Sequence, residues 1–356
     1  METLLDTDRL PRPATIRTAA ADAAWLAHRY HPGEDVIHLL PVPRSLHRRV
    51  TFLTDEYLPR KLEPLIVRRV DAMAGAPAPA PLHFVFHSAF CCSTVLARAF
   101  DRPGWAMGLK EPIILNDIVG WKRRGDPGPD MATVLNDVLT LLGRPFAPHE
   151  AVIVKPTNIV NGLAAAMLTL RPQANALLLH APLKVYLGSI ARKGIDGRLW
   201  VRNLLLGLLD DKLIDLGFSP RDLIGQTDLQ VAAVGWLAQH ALFQGLVQRF
   251  GAARVRTIDS ETLMREPVAA MGSLAALYRL PLEAAELREI VDGPAFTRHS
   301  KTGDSFAADD RARDQDHTAD AHADEIEKVA YWAEKVAEAA GISMALPAPL
   351  IENGSR

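Results

Sequence analysis

Residues 87–94 read His-Ser-Ala-Phe-Cys-Cys-Ser-Thr, and they stand between an apolar run, LHFVF, and a stretch of helical period, VLARAF. Strand, short polar turn and helix is the order in which backbone N–H groups gather into an anion cradle. The spacing equals that of the phosphate-loop pattern G-x-x-x-x-G-K-[ST]. His87 and Cys92 fall at its glycines, Ser93 at its lysine, and Thr94 is the one direct match. Ala89, Phe90 and Cys91 fill interior positions. Cys92 and Ser93 are small enough to leave an anion room, and the same residues equally suit a plain βα turn with polar capping side chains. The missing lysine bears on the chemistry. Nucleoside triphosphate hydrolysis needs a strong cation and magnesium, whereas transfer of a sulfuryl group handles less charge and needs no metal.

Other residue types suited to chemistry follow at strand ends. Glu111, in LKEPIIL, is a carboxylate able to take a proton from an attacking hydroxyl, although a single glutamate before proline is more commonly a surface ion-pair partner. Lys155 ends the apolar run AVIVK, where its ammonium can meet developing negative charge or simply reach water; Lys110 is a second cation of this kind. His180 closes ALLLH, with Ser189, Arg192 and Lys193 downstream; a neutral histidine offers one donor where arginine would offer a bidentate grip. Arg298, Ser300 and Lys301 form a basic patch in FTRHSK. The run DDRARDQDHTADAH has ligand-type side chains, but its spacing fits no defined metal site, and no metal is expected. Trp236 and His240, four residues apart, read as helix packing.

The elements that must position these residues alternate strand with helix. Runs at 82–86, 151–155, 176–180 and 254–258 each precede a helical pattern, which predicts an α/β fold with a mostly parallel sheet covered by helices. Residues 198–250 are helical in period and are expected as a helical cap. Residues 298–323 are polar and aperiodic, and predict a long loop or lid, or a stretch disordered without ligand; a last helix is expected over 324–340. The alternating prolines of GAPAPAP, 75–81, form an extended linker between an N-terminal appendage (1–74) and the main domain (82–345). Within the appendage, helices are expected over 20–29 and 45–73, with a strand at 36–40.

At 356 residues, 48% hydrophobic and 23% charged, with a formal charge of -2, the chain gives no electrostatic reason to expect nucleic acid or membrane as a partner. The two cysteines are adjacent and supply neither a disulfide framework nor a metal-ligand pattern. No apolar run approaches a membrane span and no leader is evident, so a cytoplasmic location is expected.

Taken with their order, these segments resemble the sulfotransferase family over about residues 82–310. Bacterial members carry a loop like H-x-x-R-C-G-S-T-L-L where this chain has HSAFCCSTVL. His87, Cys91, Ser93, Thr94 and Leu96 match, Phe90 stands at the basic position and Cys92 at the glycine. The resemblance implies a sulfotransferase that takes 3′-phosphoadenosine 5′-phosphosulfate as co-substrate and a small-molecule or peptide acceptor with a hydroxyl or amine. It implies a catalytic set of Glu111 as base, Lys155 as charge stabiliser, and His87. Ala89, Phe90, Cys91, Cys92, Ser93 and Thr94 would bind the 5′ end, and His180 with Ser189, one residue out of register, the 3′-phosphate, with Arg192 and Lys193 as the alternative suppliers of that contact. Arg298, Ser300 and Lys301 would close over the nucleotide. A small-molecule kinase on the same core and a catalytically silent binding relative are the alternatives.

Overall fold

Apolar runs too short for a helix and bounded by turn formers give strands, and LHFVF, AVIVK and ALLLH do so here. The computed structural model describes residues 15–213, 215–297 and 308–352. Up to residue 175 the elements are α1 (Ile16–Ala21), β1 (Trp25–His31), β2 (Val36–Pro41), α2 (Arg44–Arg49), β3 (Leu65–Arg68), α3 (Arg69–Gly75), β4 (Leu82–His87), α4 (Ser93–Ala99), β5 (Ala106–Lys110), α5 (Ile114–Arg124), α6 (Met131–Leu142), β6 (Ala151–Lys155) and, after a 3-10 turn, α7 (Ala164–Leu170). Then come β7 (Ala176–His180), α8 (Leu183–Arg192), α9 (Gly194–Asp210), α10 (Pro220–Gly225), α11 (Asp228–Phe250), β8 (Val255–Asp259), α12 (Ser260–Arg265), α13 (Pro267–Leu277), α14 (Ala284–Val291), α15 (Pro294–Thr297) and α16 (Ala308–Ala340). A five-stranded parallel sheet has the order β5-β6-β4-β7-β8, and a three-stranded antiparallel sheet the order β1-β2-β3. The expected α/β class is therefore observed, and the strand expected at 36–40 is β2; the strand β5 and the pairing of β2 with β1 and β3 are additions.

The chain groups into two compact units: one holds the described residues up to Val85 together with Leu96–Asn175, the other Phe86–Val95 and the described residues from Ala176 onward. In the first, β4, β5 and β6 are buried at nearly every position, as strands covered on both faces must be. Gly108 lets β5 lie close under the helix that precedes it: a Cβ there would meet the Ala97 carbonyl oxygen at 2.2 Å.

Two helices expected in the N-terminal segment are cut short: the first ends at Ala21, and of the second only its two ends, α2 and α3, are helical. Trp25–His31 is a strand, paired antiparallel with β2 from Trp25 opposite Pro41 to His31 opposite Val36, so tertiary pairing overrides the alanine-rich helical pattern. Over 45–73 the helical period is broken at Pro59 and Pro64, and Leu65–Arg68 joins the small sheet instead. The segment is held in the first unit by Arg144, whose wholly buried guanidinium donates from Nη1 to the carbonyls of Ala19 (3.2 Å), Ala20 (2.9 Å) and Asp22 (3.1 Å). Its Nη2 donates to the Trp25 carbonyl (2.6 Å) and its Nε to that of Leu141 (2.5 Å). An arginine thus gathers the carbonyls at the end of α1, where those of Ala19 and Asp22 also accept the N–H groups of Asp22 and Trp25. Arg29 adds a two-pronged pair to Asp117 on α5 at 2.9 and 2.8 Å.

In the second unit β7 and β8 pair in parallel from Ala176 opposite Val255 to His180 opposite Asp259. Within the stretch expected as a cap, α11 is buried at every position from Val231 to His240, the mark of a helix packed on all sides. It lies against α8, α9 and α16. The polar stretch expected as a loop or lid is helical from Ala308, where α16 begins; it has no glycine or proline through Ala340, so the helix runs through it. Residues 298–307 lie outside the described residues.

Candidate anion loop and acid-base pair

Loop residues 88–92 leave β4 and lead into α4. Ala89, Phe90 and Cys92 have φ values of 71°, 52° and 63°, the left-handed region that side chains with a Cβ rarely adopt, while Cys91 between them does not. Alternating handedness over Phe90, Cys91 and Cys92 is the backbone pattern that turns successive N–H groups toward one side. The three left-handed residues are also partly exposed, whereas Ser88, Cys91, Ser93 and Thr94 are buried. Three such conformations cost on the order of 3–6 kcal/mol in all.

That conformation is imposed by anchors within the second unit. Ser88 donates its N–H to the Leu179 carbonyl (3.0 Å), and its Oγ accepts from the Ala181 N–H (3.1 Å). Ala89 donates its N–H to Nδ1 of His87 (3.1 Å), so this buried imidazole, expected in a catalytic set, holds the turn. Phe90 is gripped edge-on by Tyr186 (ring centroids 5.9 Å apart) and Trp200 (5.2 Å). The Tyr186 hydroxyl is buried without a hydrogen-bond partner; burial, and then Cys91, push its phenol upward.

His180 ends β7. Its ring meets that of His240 edge-on at 4.9 Å, and His240 stacks on Trp236 at 3.5 Å, so the Trp236–His240 pair is helix packing as read from the sequence. Burial pushes His180 down to about 4 despite Asp259, and burial followed by His180 drives His240 well below its ordinary value. At neutral pH His180 is an uncharged group, and it brings no cation to a phosphate. Ser189 bonds back to the Val185 carbonyl of its own helix (2.9 Å) and receives Nη2 of Arg192 at 3.4 Å. Arg298, Ser300 and Lys301 lie outside the described residues.

The acid-base pair belongs to the first unit. In the β5–β6 register Lys110 stands opposite Lys155, the Glu111 N–H donates to the Lys155 carbonyl (2.7 Å), and the Lys155 Nζ donates to Oε1 of Glu111. Glu111 is itself left-handed, at φ 55°. The lysine side chain is 1% exposed and the glutamate 16%, so a buried ammonium faces a carboxylate that water still reaches. Such a pair can accept a proton and stabilise growing negative charge. Lys110 is otherwise engaged: its buried Nζ donates to the His47 (2.5 Å) and Arg48 (3.3 Å) carbonyls at the end of α2. Burial, reinforced by Arg98, pushes it down to about 8.

Sequence reasoning missed the strap over this pair. Leu53 donates its N–H to the Lys110 carbonyl (2.7 Å) and accepts from the Ile113 N–H (3.3 Å), bracketing Glu111. The Phe52 ring centroid lies 5.1 Å from the Lys155 Nζ and packs edge-on with Tyr57, whose phenol is raised by burial, then by Glu56 and Glu111. No spacing in 52–57 announces that role; only Pro59 and Pro64 signal that the segment is not helix.

Among the described residues no three His, Cys, Asp or Glu side chains gather as a metal would need, and no helix is long and apolar enough to cross a membrane. No family model and no curated protein matches the chain. Among solved structures it is similar to a sulfotransferase domain from the curacin biosynthetic pathway, at 14% identity and a TM-score of 0.42, covering 76% of this chain and 100% of that one. It is likewise similar to a sulfotransferase from Mycobacterium avium, at 14% identity and a TM-score of 0.40, covering 70% of this chain and 78% of that one.

Proposed function

We propose that the chain is a sulfuryl-transferring enzyme that takes 3′-phosphoadenosine 5′-phosphosulfate as donor and a hydroxyl or amine on a small molecule or peptide as acceptor. The observation that carries this reading is the loop at 88–92: phosphate-loop spacing, alternating backbone handedness and no lysine in the loop. A cradle made of backbone, with no lysine in its own sequence, suits the low charge of a sulfuryl group better than a triphosphate. The loop fits the 5′ end of the donor; neutral His180 fits the 3′-phosphate poorly, so that grip rests elsewhere.

Glu111 takes the acceptor proton as the acceptor oxygen or nitrogen bonds to sulfur, the bond from sulfur to the nucleotide phosphate oxygen breaks, and adenosine 3′,5′-bisphosphate leaves. Lys155 offsets charge in that step. The uncharged His180 favours a second reading, in which the chain binds a nucleotide without transfer. Thermal denaturation with adenosine 3′,5′-bisphosphate, against ATP with magnesium, tests the nucleotide class: stabilisation by the first is expected, and by the second alone refutes the proposal. Donor turnover in Glu111→Gln separates the two readings. A fall of about 10²–10⁴-fold with bisphosphate affinity unchanged is expected, and no fall rules out the base.

A further inference from the structure

We propose that Lys193 supplies, across the ring of Phe90, the cation that the loop lacks in its own sequence, and that it binds the 5′-phosphosulfate end of the donor. The inference rests on the nucleotide reading above and adds a binding residue to it.

Phe90 takes the position at which the resembled loop carries a basic residue, and a phenyl ring cannot replace that charge. It can present one. Its ring is held in T-shaped contacts by Tyr186 and Trp200, which fixes its orientation, and the Lys193 Nζ lies over it, 5.7 Å from its centroid. That is within reach of the attraction between a cation and a ring quadrupole. Lys193 is exposed and sits at the corner where α8 ends; the next residue, Gly194, is left-handed at φ 56° and lets the chain turn into α9. The corner therefore delivers a long, flexible side chain to the partly exposed end of the loop.

The contact is also weak enough to be given up. An exposed ammonium over a ring is easily drawn to a phosphate or sulfate oxygen, which offers full charge and a hydrogen bond. Nearby groups do not compete for the role: Arg192 reaches the Ser189 hydroxyl of its own helix, and His180 is neutral. Phe90 then acts as a perch that keeps the lysine at the loop before the nucleotide arrives.

The test is calorimetric binding to the full chain of two ligands, adenosine 3′,5′-bisphosphate and adenosine 5′-phosphosulfate, which lacks the 3′-phosphate. Lys193→Ala is expected to weaken both by the same factor, about 10- to 100-fold. Phe90→Arg in the Lys193→Ala background is expected to restore only part of the loss, because it returns a cation to the loop but gives up the ring contacts that fix its backbone. Unchanged affinity in Lys193→Ala, or a loss confined to the ligand bearing the 3′-phosphate, overturns the inference while leaving the nucleotide reading intact. Failure of the unaltered chain to bind either ligand overturns the nucleotide reading itself. Lys193 is a solvent-facing side chain, and circular dichroism of each variant confirms folding.

Discussion

Replacing Cys92 with glycine should make the protein more stable, against the usual effect of glycine in an ordered segment. At φ 63° the Cβ of Cys92 crowds the backbone, a penalty of about 1–2 kcal/mol that glycine removes. Glycine also loses more conformational freedom on folding, about 0.5–1 kcal/mol. Cys92 is partly exposed, so its thiol buries little apolar surface that would be lost. The balance is a gain of roughly 0.5–1 kcal/mol. Ser93→Gly is the matched control: Ser93 begins α4, is buried and is not left-handed, so glycine there should cost about 0.5–1 kcal/mol. Equilibrium urea denaturation followed by tryptophan fluorescence reads both, since Trp200 touches Phe90 and Trp236 lies in the same unit. Opposite signs are expected at adjacent positions. If Cys92→Gly destabilises as much as Ser93→Gly, the loop is not held in the left-handed conformation, and the argument for an anion cradle goes with it.

Acid should weaken the fold before its carboxylates titrate. His47, pushed down to about 3, and His180, to about 4, with His240 well below its ordinary value, stay neutral in the folded chain but gain protons on unfolding below about pH 6.5. Stability is therefore full above that pH and falls toward pH 4 by up to ~1.4 kcal/mol per pH unit for each histidine; urea midpoints from pH 7.5 to 4.5 that stay level would refute this. Arg144→Met removes the side-chain donor shared by the carbonyls of Ala19, Ala20, Asp22 and Trp25, of which those of Ala19 and Asp22 keep a backbone N–H, and a loss of roughly 3–5 kcal/mol is expected in the same assay. A loss under about 1 kcal/mol would mean that water or the backbone takes over those acceptors.

What the sequence disclosed follows from how local each signal is. LHFVF, AVIVK and ALLLH are legible because a fully buried strand needs little more than an apolar run between breakers. The run AMGLK is not: alanine and glycine are poor strand formers, and Gly108 is there for the close approach to Ala97, which only the fold reveals. WLAHRYH became a strand because the chain reverses at Pro32-Gly33 and pairs with β2, a turn signal present but outweighed by the alanine count. At the candidate sites, spacing pointed to the loop, and segment order to Glu111 and Lys155. Their pairing depends on β5–β6 register, and the neutrality of His180 on its burial, which only the fold supplies. The Leu53 strap acts through backbone groups, which no side-chain pattern encodes.

A loop with neither glycine nor lysine can hold an anion only if its conformation is imposed and its charge imported. Glycine would adopt the left-handed turns at no steric cost; Ala89, Phe90 and Cys92 adopt them at on the order of 3–6 kcal/mol. The hydrogen bonds of Ser88 and Ala89 and the two edge-on contacts of Phe90 supply roughly 3–7 kcal/mol, a comparable amount. The same phenyl ring that supports the strain is the one Lys193 overlies. Phe90 thus does two jobs that glycine and a basic residue would share: it fixes the backbone of the cradle and it holds a cation at its edge. A substitution there that returns only the charge, or only the flexibility, should recover only the corresponding half of the binding.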